Sequence, residues 1–273
     1  MPLSSTTSRA ADAAIRFGVP VATIGGLPIA VIDRTASARR ILDLAIARRG
    51  TGARALVVTS ANGQVLSMCA RDQRIRDLFL DADLIHADDM PLVFASRLLC
   101  RTPLPERVAT TDFFHDVARI APARGATFYL LGATKTVIEQ AARRAQTLYP
   151  DLKLVGWHSG YFTPEEERDV IAGINLVHPD VLWLGMGAPA ELMFAIRHRD
   201  ALRAVGVIKT SGGLFDFLSG KSPRAPDWMQ AAGLEWAYRI YRNPKRLAGR
   251  YLVTNPHAAF LLLTRTAHRA MQP

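Results

Sequence analysis

Short apolar runs recur along the chain at ALVVTS (55–60), LIHA (84–87), TFYLLG (127–132), KLVGW (153–157), VLWLGM (181–186) and VGVIKT (205–210). Runs this short and this apolar suit strands covered by helices on both faces. Helical periodicity fills the intervals, over about 64–80, 90–99, from Thr111 onward, 134–148, 164–175 and 190–203. LPIAVID (27–33) begins the rhythm, and Thr35 or Ser37 can cap a first helix through Arg49. Strand–helix alternation of this kind predicts an α/β fold: an open, mostly parallel Rossmann-like sheet with helices on both faces.

The rhythm has limits at both ends. Residues 1–22 are rich in Ser, Thr and Ala and read as a poorly ordered N-terminus, which leaves 23–210 as the α/β catalytic domain. After Ser211 helical segments follow one another, and 211–273 reads as a basic helical C-terminal appendage. Asn243-Pro244 and Asn255-Pro256 each set a capping residue before a proline, so three short helices are expected, joined at those points.

Charge is concentrated in the same appendage. The formal net charge is +10, and from Ala237 to the end there are seven Lys or Arg residues and no acid. One localised basic face implies an anionic partner: a nucleotide, a nucleic acid or an anionic membrane. Cys69 and Cys100 lack disulfide or metal spacing and read as reduced thiols of a cytoplasmic chain. No secretory signal is visible, and no apolar run is long enough to span a bilayer.

The densest segment is Ser211 to Tyr251, SGGLFDFLSGKSPRAPDWMQAAGLEWAYRIYRNPKRLAGRY. Glycines beside cations suit a backbone that approaches phosphate closely and then neutralises it. The ordered motifs G-G, F-D-F-x-x-G, R-A-P, G-L-E-W and R-Y resemble the C-terminal signature of the WecG/TagA/CpsF glycosyltransferases, and the similarity extends over roughly residues 25 to 262. That resemblance implies transfer of a sugar from a UDP-sugar donor to a polyprenyl-diphosphate-linked acceptor. It places the enzyme peripherally on the inner face of the bacterial cytoplasmic membrane, with no cofactor and no essential metal, and it allows a homo-oligomer.

Candidate site residues cluster at strand ends, where open α/β sheets bind ligands. Asp88 follows LIHA; alone, such an aspartate more often caps a helix, but the family pattern A-D-L-x-x-x-D-G matches Ala82 through Asp88 and implies a general base. Asp89 stands where most members have Gly and could meet an acceptor hydroxyl. Arg107 matches an active-site arginine in E-R-V, against the plainer reading of a surface pair with Glu106 or Asp112. Ser60 and Asn62 match a pocket-lining T-x-N, although Asn62 equally suits a helix N-cap. Gly132, Gly187, Gly212 and Gly213 provide turns for a donor. Glu191 replaces the family's usual glutamine in G-x-P-x-Q and so loses amide donors. Arg224, Arg239, Arg242, Arg246 and Arg250 are the diphosphate and membrane candidates. The last four would share one stripe if the helix direction continued past Pro244. Asp81-Ala82-Asp83 has the D-x-D spacing of metal-dependent glycosyltransferases, but reads better as a solvated helix terminus.

Two substrate readings stand at this point. The segments ADDMPL and ATTDFFHD resemble a GumM-like branch that adds β-1,4-glucose from UDP-glucose during exopolysaccharide assembly. The alternative, associated with most of the family, is N-acetylmannosaminyl or N-acetylmannosaminuronyl transfer to a lipid-linked N-acetylglucosamine. A nucleic-acid-binding protein is a reading of another class, supported by charge and interleaved aromatics but by no recognisable module, so no nucleic acid is expected. A dehydrogenase is disfavoured because no G-x-G-x-x-G follows the first strand.

Overall fold

The computed structural model of the chain describes residues 17–266 and 270–271, without the side chains of Arg246, Arg250, Ala270 and Met271. Residues 1–16, most of the stretch expected to be poorly ordered, lie outside the described residues. Within the remainder of that stretch, Phe17 is fully buried and a strand begins at Val21.

A six-stranded all-parallel sheet, flanked by helices, takes the order β4-β3-β8-β7-β5-β6. Its strands are β3 (Leu56–Ala61), β4 (Leu84–Ala87), β5 (Thr127–Gly132), β6 (Lys153–His158), β7 (Val181–Gly185) and β8 (Val207–Thr210). The sequence places all six, and the expected Rossmann-like class holds. By compactness the chain forms two units, one comprising the residues up to Asp33, Ser60–Ala109 and those from Arg224 on, the other Arg34–Thr59 and Thr110–Pro223.

The second unit contains β5 to β8 with helices α1 (Arg34–Ala47), α5 (Thr110–Ile120), α6 (Lys135–Leu148), α7 (Pro164–Leu176), α8 (Ala190–His198) and α9 (Leu214–Leu218). Trp183, in the middle of β7, is fully buried and lies 4.9 Å from Phe114 and 5.8 Å from Phe128, centroid to centroid. Such aromatic contacts add to the area the rings bury. At the amino ends of the strands, buried Asp180 accepts from the Thr127 amide and, at 2.7 Å, from the Arg49 guanidinium. That pins β5 against β7 at the edge away from the strands' carboxyl ends. At those carboxyl ends Gly132 pairs with Gly185, and a Cβ on Gly132 would overlap the Gly185 carbonyl.

The first unit contains α2 (Gly63–Arg71), α3 (Gln73–Leu80), α4 (Met90–Leu99), α10 (Asp227–Ala231), α11 (Glu235–Arg242) and α12 (Pro244–Thr264). It also holds a small antiparallel sheet of β1 (Val21–Ile24), β2 (Leu27–Ala30) and β9 (Ala270–Met271), in the order β2-β1-β9. LPIAVID therefore does not open the parallel alternation. Gly25 and Gly26, both at positive φ (58° and 89°), close a two-residue hairpin, the conformation such turns demand.

Other sequence expectations shift for local reasons. The helix expected over 64–80 breaks at Asp72, whose extended backbone and side chain accepting from the Arg74 amide start a second helix. The break expected at Asn255-Pro256 does not occur, because α12 runs through Pro256. An interior proline costs about 3 kcal/mol; here Ala258, Leu261 and Leu262 are buried immediately beyond it and hold the helix. The break at Asn243 does occur, with φ −145° and ψ 63°. The uninterrupted helix past Pro244 on which a single arginine stripe depended is therefore not present. Among the described residues no helix is long and apolar enough to cross a membrane.

Candidate active site

In the first unit the chain leaving β4 carries Asp88 and Asp89. The Asp88 amide donates to the Ala61 carbonyl at 2.8 Å, which aligns the ends of β3 and β4. Asn62 is the N-cap that its position suggested, and it also contacts Asp88. Its Oδ1 caps α2 through the Val65 amide at 3.1 Å, and its Nδ2 reaches Asp88 Oδ2 at 3.4 Å. A carboxylate oriented by a side-chain amide, half-buried at a strand end, is a suitable general base. Ser60 is half-buried one residue before the last of β3.

Asp89 serves two helix starts. Oδ2 accepts from the Gly63 amide at 2.9 Å and Oδ1 caps α4 through the Leu92 amide at 3.4 Å. Burial pushes its pKa up to about 7, with the Asp88 charge adding to the rise and the Gly63 hydrogen bond opposing it. Where the sequence offers Asp89 to an acceptor hydroxyl, the structure gives each oxygen a backbone amide.

Arg107 is placed beside this strand end by the Val108 amide, which donates to the Ala87 carbonyl at 2.7 Å. Its pairing is long-range: Nη1 lies 3.3 Å from Glu235 Oε2 and Nη2 donates to Gln230 Oε1 at 2.7 Å. The same Gln230 oxygen accepts from Arg224 Nη2 at 2.6 Å, while Gln230 Nε2 donates to the Ala225 carbonyl at 2.7 Å. Arg239, hydrogen-bonded to the Tyr251 side chain, feels the Glu235 and Asp88 carboxylates. Three guanidinium groups therefore gather with Asp88 in one unit. Arg242 is exposed on α11, and the side chains of Arg246 and Arg250 lie outside the described residues. Gln230 and Glu235 escape site assignment on sequence because their partner Arg107 is more than a hundred residues away.

The second unit brings together Gly132, Gly187, Glu191, Gly212 and the neighbouring Gly213. Gly187 (φ 81°) and Gly212 (φ 54°) occupy the left-handed region, and a Cβ on Gly187, Gly212 or Gly213 would meet nothing within 4 Å. These turns face open space. Glu191 organises them: Oε2 accepts from the amides of Met186 at 3.2 Å, Gly187 at 3.1 Å and Gly212 at 2.9 Å. Burial raises its pKa to about 7, against the opposing Gly212 hydrogen bond and the Lys209 charge. Lys209, fully buried, donates to the Thr210 carbonyl at 2.7 Å. Residue 191 thus acts on the glycine turns through their amides.

Asp81 is the half-buried C-cap of α3 and Asp83 is buried, so the expected solvated terminus fails at Asp83. Among the described residues no group of three or more His, Cys, Asp or Glu is arranged to hold a metal ion.

Within the first unit, a carboxylate held by a side-chain amide thus stands among clustered cations. Comparison with protein families matches residues 22–272 to the "Glycosyl transferase WecG/TagA/CpsF family", and the chain belongs to that family. It is a glycosyltransferase. Its relatives include the N-acetylglucosaminyldiphosphoundecaprenol N-acetyl-β-D-mannosaminyltransferase of Bacillus subtilis strain 168, 30% identical over 192 residues that span 70% of this chain and 73% of the relative. Enzymes of the same name from Staphylococcus aureus strain MW2 and Bacillus spizizenii are also 30% identical, covering 74% and 72% of their own lengths.

Proposed function

We propose that the chain transfers N-acetylmannosamine from a UDP donor to a hydroxyl of polyprenyl-diphosphate-linked N-acetylglucosamine, with inversion, at an anionic membrane surface. The observation that carries the proposal is Asp88, held by Asn62 in the same unit as Arg107, Arg224 and Arg239. Asp88 takes the acceptor's proton as its oxygen bonds to the anomeric carbon, and the bond from that carbon to the diphosphate breaks. UDP departs with its added negative charge, which the clustered cations stabilise.

The shared activity of the relatives favours this donor over UDP-glucose, the β-1,4-glucosyl reading that the segments around Asp88 and Asp112 suggested. A membrane-facing role is supported by exposed apolar groups on the first unit, including Trp228, Tyr241, Leu252, Phe260 and Leu263, with the exposed cations Arg242 and Lys245. Such a surface suits peripheral binding, each cation near an anionic leaflet contributing about 1 kcal/mol.

A donor panel tests the proposal: UDP-ManNAc, UDP-ManNAc uronate, UDP-GlcNAc and UDP-glucose, each with GlcNAc- and glucose-diphosphate-lipid acceptors, with and without EDTA. Transfer from UDP-ManNAc to the GlcNAc acceptor is expected, and it resists EDTA. Transfer from UDP-glucose alone would restore the glucosyl reading. No transfer from any donor by folded protein supplied with lipid would overturn the proposal.

A further inference from the structure

Arg107 and Arg224 donate to one and the same neutral oxygen, Gln230 Oε1, at 2.7 and 2.6 Å. Two guanidinium groups held on a single uncharged acceptor repel one another, and an anion between them relieves that repulsion. Gln230 is itself buried and anchored by its own donor to the Ala225 carbonyl at 2.7 Å. The cations are therefore placed by a neutral scaffold. Glu235, in the first turn of α11, contributes the carboxylate: it lies 3.3 Å from Arg107 and also attracts Arg239. Its side chain is 26% exposed against 14% for Arg107, so the anion is the more accessible member of the pair.

We infer that Glu235 is an internal counter-ion that occupies the arginine cluster until a substrate diphosphate displaces it. The inference rests on the reading that this cluster receives a diphosphate, and it adds a gating residue to that site. With Glu235 in place part of the cluster's positive charge is offset. A diphosphate, carrying more charge than one carboxylate and able to reach two guanidinium groups, exchanges for it, while Gln230 keeps the arginines paired. Affinity is thereby held down, which favours release of the lipid-linked product, whose diphosphate is the same as the acceptor's.

Glu235→Gln tests this in the full chain, with inorganic pyrophosphate as the soluble probe and calorimetric binding as readout. Loss of the competing charge is expected to tighten pyrophosphate binding about tenfold and to lower the acceptor KM, with kcat reduced as product release slows. Glu235→Asp, whose shorter side chain weakens the pair, gives a smaller shift in the same direction, and decides the matter if the glutamine variant does not fold. A folded variant that binds pyrophosphate equally or more weakly overturns the inference and assigns Glu235 a structural role at the start of α11. The parent proposal fails differently: the native chain then transfers no sugar from any donor, whatever Glu235 does to pyrophosphate.

Discussion

Replacing Glu191 by Gln isolates the effect of one buried charge. The carboxylate is 5% exposed and its pKa is raised from 4.5 to about 7, with burial the largest cause. Between those values the folded state retains a proton that the unfolded chain has already lost. Stability therefore declines as pH rises toward and through the folded pKa, and the group's favourable contribution is complete only below the unfolded pKa. From pH 5 to pH 8.5 the linkage amounts to about 2.5 kcal/mol. In Glu191→Gln the amide oxygen can still accept from Met186, Gly187 and Gly212, and nothing titrates. The variant should gain on the native chain by about 2.5 kcal/mol between pH 5 and pH 8.5, or about 5 °C in Tm for a chain of this size. Thermal unfolding of both proteins at the two pH values measures the double difference. Parallel pH responses would mean that Glu191 is ionised throughout this range, and the assigned cost of its burial would be wrong.

Other substitutions probe separate parts of the site. Asp88→Asn should lower kcat about 10²- to 10⁴-fold with folding intact, as single-turnover kinetics beside a melting curve would show; near-native turnover would remove Asp88 as the base. Gly132→Ala forces a left-handed φ of 150° and an overlap with the Gly185 carbonyl, so it should cost about 3 kcal/mol in denaturant unfolding. Tyr241→Ser combined with Phe260→Ser, both on exposed positions, should weaken co-sedimentation with anionic vesicles while leaving transfer to a short-chain soluble acceptor unchanged.

The parallel sheet is legible because each of its strands is a local apolar run whose type depends on a few adjacent residues. The hairpin at Gly25-Gly26 was equally local, since paired glycines between apolar runs are a turn signal, but LPIAVID continues beyond β2 and mimics the start of a βα unit. Pro256 illustrates the opposite case. Its local meaning is a helix break, and only the burial of Ala258, Leu261 and Leu262 reverses it, through contacts that include the Ser67 hydroxyl 2.8 Å from His257 Nδ1. Tertiary packing overrides propensity where several buried side chains act together.

The site divides in the same way. Asp88 and Asn62 stand at strand ends and could be read in place, whereas Arg107 acquires its meaning from Gln230 and Glu235, far along the chain. The charge balance follows from that arrangement. Arg107, Arg224 and Arg239 contribute three positive charges; Asp88 and Glu235 offset two; Asp89, with its pKa near 7, offsets only part of the third at neutral pH. A diphosphate entering this cluster therefore meets an almost neutral set of groups. Strong binding requires that one carboxylate yield its position, and Glu235, more exposed than the Arg107 it pairs with, is the one the inference assigns. Asp89 cannot move without uncapping α4 and freeing the Gly63 amide, and Asp88 is the proposed base. Release of Glu235 leaves the Gln230 oxygen holding two guanidinium groups side by side.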